Sequence, residues 1–218
     1  LAWSRAAEPR ILSVSPGLFK CGHRDREASD HDLREVLPRA LDLAGRLGAR
    51  YLVAFSFETL GEPLDPRALE AMRAAAVRCE EAGFPLLVEN EPGFGAQTGA
   101  DLARLLEAVG SANLFVNWDP LNSNELDTTG LEAALDAVFP RVRHVHVKNG
   151  VLGPGERFAR CGPLTDGDID WPAHLGGLLA RGYDGYLGVE THFEPFREGS
   201  EIVLGELRAM LAAVREEG

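Results

Sequence analysis

Short apolar, β-branched-rich runs alternate along this chain with longer stretches whose apolar residues recur at helical spacing. ILSVSP (11–16), RYLVAFS (50–56), PLLVENE (85–91), NLFVNWD (113–119), VRHVHVK (142–148) and GYLGVET (185–191) predict six strands. Between them DLREVLPRALDLAGRLG, DPRALEAMRAAAVRCEEAG, TGADLARLLEAVG, GLEAALDAVFP and DWPAHLGGLLARG predict helices. Several of these stop at glycine: Gly48, Gly83, Gly110 and Gly182. Asp65 before Pro66 and Thr98 before Gly99 predict helix starts. Regular alternation of strand and helix implies parallel strands joined by helical crossovers. The predicted strands begin 28–43 residues apart, as βα units do.

The polar residues choose between two parallel architectures, an open doubly wound sheet and a barrel. A strand buried on both faces should be apolar throughout. Four strands here break that rule at their C-terminal ends, with Glu89 and Glu91, Asn117 and Asp119, His144, His146 and Lys148, and Glu190 followed by His192. Alternate side chains point to opposite faces, so the polar residues of each strand share one face and the apolar residues the other. A single glutamate at a strand end is ordinarily a loop carboxylate. The same pattern on four strands points to the C-terminal rim of a barrel, where barrel active sites lie. Three carboxylates and an imidazole converging there would repel one another without a cation. Oxygen-rich ligation with one histidine suits Mn, Mg or Co, with Zn possible. His23, His31 and His174 fall in loop or helix settings and read as surface or packing residues.

Composition narrows the function further. The 218 residues are 45% hydrophobic and 26% charged, ordinary for one globular domain over 1–218. The net charge of −12 disfavours binding to phosphate backbones, so no nucleic-acid partner is expected. There is no long apolar run to span a membrane and no signal-peptide pattern. Cys21, Cys79 and Cys161 are odd in number and widely spaced, and read as reduced thiols of a cytoplasmic protein.

The order VENE, NWDPLN, HVHVKN, GDIDW and GYLGVETH resembles the xylose isomerase-like barrel superfamily of sugar isomerases and epimerases. The resemblance covers nearly the whole chain; its motifs are short, but their order and spacing are specific. It implies a (β/α) TIM-type barrel and one divalent metal on Glu89, Asp119, His146 and Glu190. It implies that Glu89 and Glu190 also serve as acid and base, moving a proton beside a carbonyl through an enediolate. Lys148 is then a candidate to hold a substrate oxygen or phosphate. Asn122, Glu91, His192 and Arg157 are candidates to touch substrate, the last together with Arg160 on a Gly- and Pro-rich loop (149–162) that reads as a mobile lid. Asp170 reads as a helix cap and Trp171 as packing. The activity expected is isomerisation or epimerisation of a small sugar or keto-acid, in carbohydrate metabolism. A dehydratase of inosose or dehydroshikimate type on the same site, or a barrel remnant that only binds ligand or partner, are the alternatives.

The chain departs from the family pattern in three places. Asn122 stands where a histidine often follows the metal aspartate, and Asn149 where many members have aspartate. Six strands are predicted where a closed barrel has eight and about 250 residues. The first two βα units are therefore expected to be missing, with LAWSRAAE as the tail of the second helix. Unpaired strand edges would favour a homo-oligomer. The apurinic endonuclease branch, with three metals and more histidines, fits poorly. Asn122 replaces one of its ligands, and no Asp-x-His pair lies between His146 and Glu190.

Overall fold

The computed structural model describes residues 11–217 apart from 125 and 157. LAWSRAAE and Arg157 therefore lie outside the described residues. The elements run β1 (Ser13–Leu18), α1 (Arg26–His31), α2 (Leu37–Leu47), β2 (Tyr51–Ala54), α3 (Pro66–Glu81), β3 (Leu86–Glu89), α4 (Gly99–Val109), β4 (Leu114–Trp118), α5 (Pro120–Asn124) and α6 (Leu131–Val138). They continue with β5 (Val142–Val147), β6 (Asn149–Val151), β7 (Arg160–Gly162), α7 (Trp171–Ala180), β8 (Tyr186–Val189) and α8 (Phe196–Glu217). All six predicted strands form. They make one parallel sheet in the order β1-β2-β3-β4-β5-β8, the strand arrangement of a TIM barrel.

The helix ends follow the local chemistry. Gly48, Gly83, Gly110 and Gly182 take φ of 63°, 79°, 67° and 75°, the left-handed turn that stops a helix. Asp65 caps α3 by accepting from the Arg67 amide at 2.9 Å, with Pro66 next. Thr98 and Asp101 cap α4 reciprocally: Thr98 Oγ1 accepts from the Asp101 amide and Asp101 Oδ2 from the Thr98 amide, both at 3.1 Å. Asp170 caps α7 through the Ala173 amide at 3.1 Å, as expected.

By contacts the chain divides into two units. The first runs to Glu89 and adds Gly93–Ala96 and Ala103–Val116. In its core Leu52, Leu86 and Val88 of the strands and Met72, Ala75 and Cys79 of α3 are fully buried, and Leu87 clusters with Tyr51 and Val53. The second comprises Asn90–Pro92, Gln97–Leu102 and the chain from Asn117 onward. There Val145 and Val147 of β5 are buried, as are Trp118 and Trp171. Trp171 Nε1 donates to the Lys148 carbonyl at 3.0 Å, which gives the expected packing residue a polar anchor as well. His174, also fully buried, accepts from Trp118 Nε1 at 3.3 Å and faces Glu132 at 3.3 Å.

The segment 149–162 differs from the loop expected there. Asn149–Val151 pairs antiparallel with Arg160–Gly162, so its two ends form a short hairpin. Alternation cannot announce strands of three residues. Helix α8, the longest in the chain, follows the last predicted strand and was not among the predicted helices.

Candidate metal centre

The centre is built on the ends of parallel strands. Asp119, fully buried, follows β4 and is gripped by two asparagines. The Asn90 side chain accepts from the Asp119 amide at 2.9 Å and donates to its carbonyl at 2.8 Å. The Asn122 amide N–H donates to Asp119 Oδ1 at 3.0 Å, and Asn122 Nδ2 donates to the Asn90 carbonyl at 2.9 Å. This closed set of bonds fixes the Asp119 backbone and one carboxylate oxygen, and so the direction of the other.

That second oxygen, Oδ2, meets the side chains of β5 and β8. Lys148 Nζ lies 2.7 Å from Asp119 Oδ2 and 2.8 Å from Glu190 Oε2. His146 Nδ1 lies 3.2 Å from Glu190 Oε2 and 3.7 Å from Asp119 Oδ2. His192 Nε2 stands 3.3 Å from Glu190 Oε1 at the exposed rim. Burial would raise the Glu190 carboxyl, but the adjoining His146 and His192 rings and the charges of His146 and Lys148 hold it well below the usual carboxylate range. Burial would likewise lower the Lys148 ammonium, yet the Asp119 and Glu190 charges outweigh it and push it above its ordinary value. Both groups are therefore ionised at neutral pH.

Glu89 ends β3 and is buried at 4% exposure. One ligand atom from each of Glu89, Asp119, His146 and Glu190 lies within 4.8 Å of all the others. These are the four residues expected as ligands, and the donor set fits a divalent cation. It offers three carboxylates and one imidazole, and Lys148 balances only part of that negative charge. Asp119 Oδ2 supplies a second test of fit. Among the described residues it is a fully buried oxygen without a hydrogen bond of acceptable geometry, its close contact with Lys148 being one of charge.

The other expected residues are distributed as follows. Lys148 joins the cluster and His192 touches its edge through Glu190. Asn122, 9% exposed, spends its amide on the Asp119 bracket. Glu91 lies beyond the end of β3, half-buried, outside the set of four clustered ligand atoms. Arg160 pairs with Glu156 at 3.6 Å. Asn149, the second departure from the family pattern, bonds fully. Its Nδ2 donates to the carbonyls of Leu164 and Ile169 at 2.7 and 2.9 Å, and its Oδ1 accepts from the amides of Gly150 and Ile169 at 3.0 Å each. Aspartate has no donor for those two carbonyls.

Sequence reasoning missed Asn90, and it placed Asn117 and His144 on the polar face without giving them a task. His144 Nδ1 is 2.7 Å from Asn117 Oδ1, and Asn117 Nδ2 is 3.2 Å from His146 Nε2. Alternation could place these residues on one face but could not pair them across strands.

A family model described as xylose isomerase-like TIM barrel matches residues 3–213. The chain belongs to the xylose isomerase-like TIM barrel family. Among solved structures, L-ribulose 3-epimerase is similar at 19% identity and a TM-score of 0.75, with 95% of this chain and 77% of that one covered. The probable 3-DHS dehydratase AsbF of petrobactin synthesis from Bacillus anthracis is similar at 17% identity and a TM-score of 0.75, covering 92% and 76%. A xylose isomerase-like TIM barrel protein from Mycobacterium smegmatis, solved in complex with magnesium, is similar at 21% identity and a TM-score of 0.72, covering 93% and 74%. No curated protein matches the chain. This member of the family thus spans about three quarters of the length of those structures. Among its described residues no helix is long and apolar enough to cross a membrane.

Proposed function

We propose that this chain is a divalent-metal-dependent isomerase or epimerase acting on a small sugar or keto-acid. The observation that carries the reading is the convergence of Glu89, Asp119, His146 and Glu190 within 4.8 Å. Those four residues would hold the cation, Mn, Mg or Co by the character of the donors. The cation would polarise the carbonyl and hydroxyl oxygens of a substrate. Glu89 and Glu190 are the acid and base: one removes the proton from the carbon beside the carbonyl and the other returns it. The charged neighbours of Glu190 keep it ionised, the form in which a carboxylate can accept a proton. Lys148, buried and charged, would steady a substrate oxygen as charge moves onto it. His192 is a rim contact for the outer end of a substrate.

Elemental mass spectrometry on the wild type, His146→Ala and Glu190→Gln tests the centre. About one divalent ion per wild-type chain, lost in both variants, is the expected result. A folded wild type without metal would sink the reading. Incubation of the metal-loaded protein with ketoses and keto-acids in D2O should then give deuterium at the carbon beside the carbonyl. Loss of a β-hydroxyl in the product would assign the same centre to dehydration, the reaction class of the similar probable 3-DHS dehydratase.

A further inference from the structure

Asn117 bridges the two histidines of β5. It is fully buried, its oxygen 2.7 Å from His144 Nδ1 and its nitrogen 3.2 Å from His146 Nε2. An amide nitrogen donates and an amide oxygen accepts. In this arrangement His146 Nε2 is therefore an acceptor and the ring proton sits on Nδ1, facing Glu190 Oε2 at 3.2 Å and Asp119 Oδ2 at 3.7 Å. The same reasoning puts the proton of His144 on its Nδ1.

A cation among the carboxylates needs the lone pair of His146 Nδ1, since that is the nitrogen facing them. The neutral ring must then carry its proton on Nε2, which becomes a donor. Only an oxygen can face it. Asparagine is the residue that meets this demand without moving its backbone, because a half-turn of the amide exchanges donor for acceptor in nearly the same volume. After the turn, the amide nitrogen faces His144 Nδ1, which has to accept, and the proton of that ring lies on Nε2. Both hydrogen bonds that join the trio survive. The two rings together hold the same number of protons before and after.

We propose that Asn117 and His144 are positioning residues that decide which nitrogen of His146 is offered to the cation, the amide turning over on loading and the proton of His144 changing nitrogens with it. The proposal rests on the metal centre argued above. A further observation supports it. The ring of His144 is seated by the fold, because a side chain at Gly188 on β8 would begin 2.6 Å from its Cε1 and Nε2.

Long-range 1H–15N correlation spectra of the 15N-labelled full chain report the tautomer of each histidine, without metal and with excess Mg2+. The expected result is that His144 passes from the Nδ1–H to the Nε2–H form on loading. Asn117→Leu removes the bridge, and its affinity for Mg2+ should fall by about 10–100-fold, the usual effect of losing the partner of a metal-bound histidine. Asn117→Asp presents oxygen to both rings. It should keep or improve the affinity while His144 stays in the Nδ1–H form throughout. Wild-type protein that binds Mg2+ with His144 unchanged would overturn the proposal and leave the metal centre standing, as would folded Asn117→Leu with wild-type affinity. Wild-type protein that binds no divalent ion would remove the metal centre and this proposal together. The wild-type spectra decide the matter even where a variant does not fold.

Discussion

At the scale of single residues, amide side chains give this centre its geometry and carboxylates its charge. Asn90 and Asn149 each use donor and acceptor at once, so the corresponding acids cannot stand in for them. Asn149→Asp should lower stability by about 2–4 kcal/mol, because it leaves the buried carbonyls of Leu164 and Ile169 facing an acceptor. Urea denaturation of the two proteins measures this. Protonation supplies a second prediction. His144 has a folded value of about 4 against an ordinary 6.5, so the unfolded chain binds a proton where the folded chain does not. Stability of the metal-free protein is therefore full above about pH 6.5 and falls as pH drops toward 4, by about 3 kcal/mol from this one ring. Glu190, depressed in the fold, works in the same direction at lower pH. Melting temperatures that stay flat between pH 7 and 4 would contradict the assignment of a buried neutral His144. The four ligand types and Lys148 were legible in the sequence because charge at the end of an apolar strand is conspicuous. Asn90 was not, because an asparagine after a strand reads as loop chemistry until Asp119, 29 residues on, is seen to hold it.

At the scale of elements, the helices and strands of the sheet obey local signals, and their contacts add constraints that no local signal carries. Glycine stops and aspartate caps fall where the pattern of the chain puts them. Gly99 was read as the residue after a cap, yet its demand is one of packing. A side chain there would begin 2.1 Å from the Ala134 carbonyl of α6, closer than any real contact. Gly99→Ala should destabilise by about 1–3 kcal/mol, the usual effect of overpacking, although alanine is the better helix former. Denaturant titration reads the sign, and a stabilised Gly99→Ala would show that α4 and α6 yield easily. The β6–β7 hairpin, α8 and the short helices α1 and α5 lie outside the predicted elements. The hairpin strands and the two short helices hold too few residues for a period to show, and α8 carries glycine and charge within its first turns.

For the molecule as a whole, a cation that binds only the folded chain must stabilise it. Mn2+ at about 100 times its dissociation constant should add about 2.7 kcal/mol to the unfolding free energy. EDTA should reverse the gain and His146→Ala should abolish it, as thermal melts can follow; equal melts with and without metal would deny the centre. By itself the sequence determined the βα alternation, the parallel sheet, the family and the four residues brought within 4.8 Å. The alternation and the sheet follow from periodicity, and the family with its ligands from the resemblance carried by short motifs at the strand ends, all of them written over a few consecutive residues. Only the tertiary structure decided that Lys148 is held between Asp119 and Glu190, that Asn122 braces Asp119, and that Asn117 joins His144 to His146. Each of these partnerships spans neighbouring strands or loops and turns on the direction of one side chain. The distance along the chain erases it from any local pattern, and the packing of the sheet alone restores it.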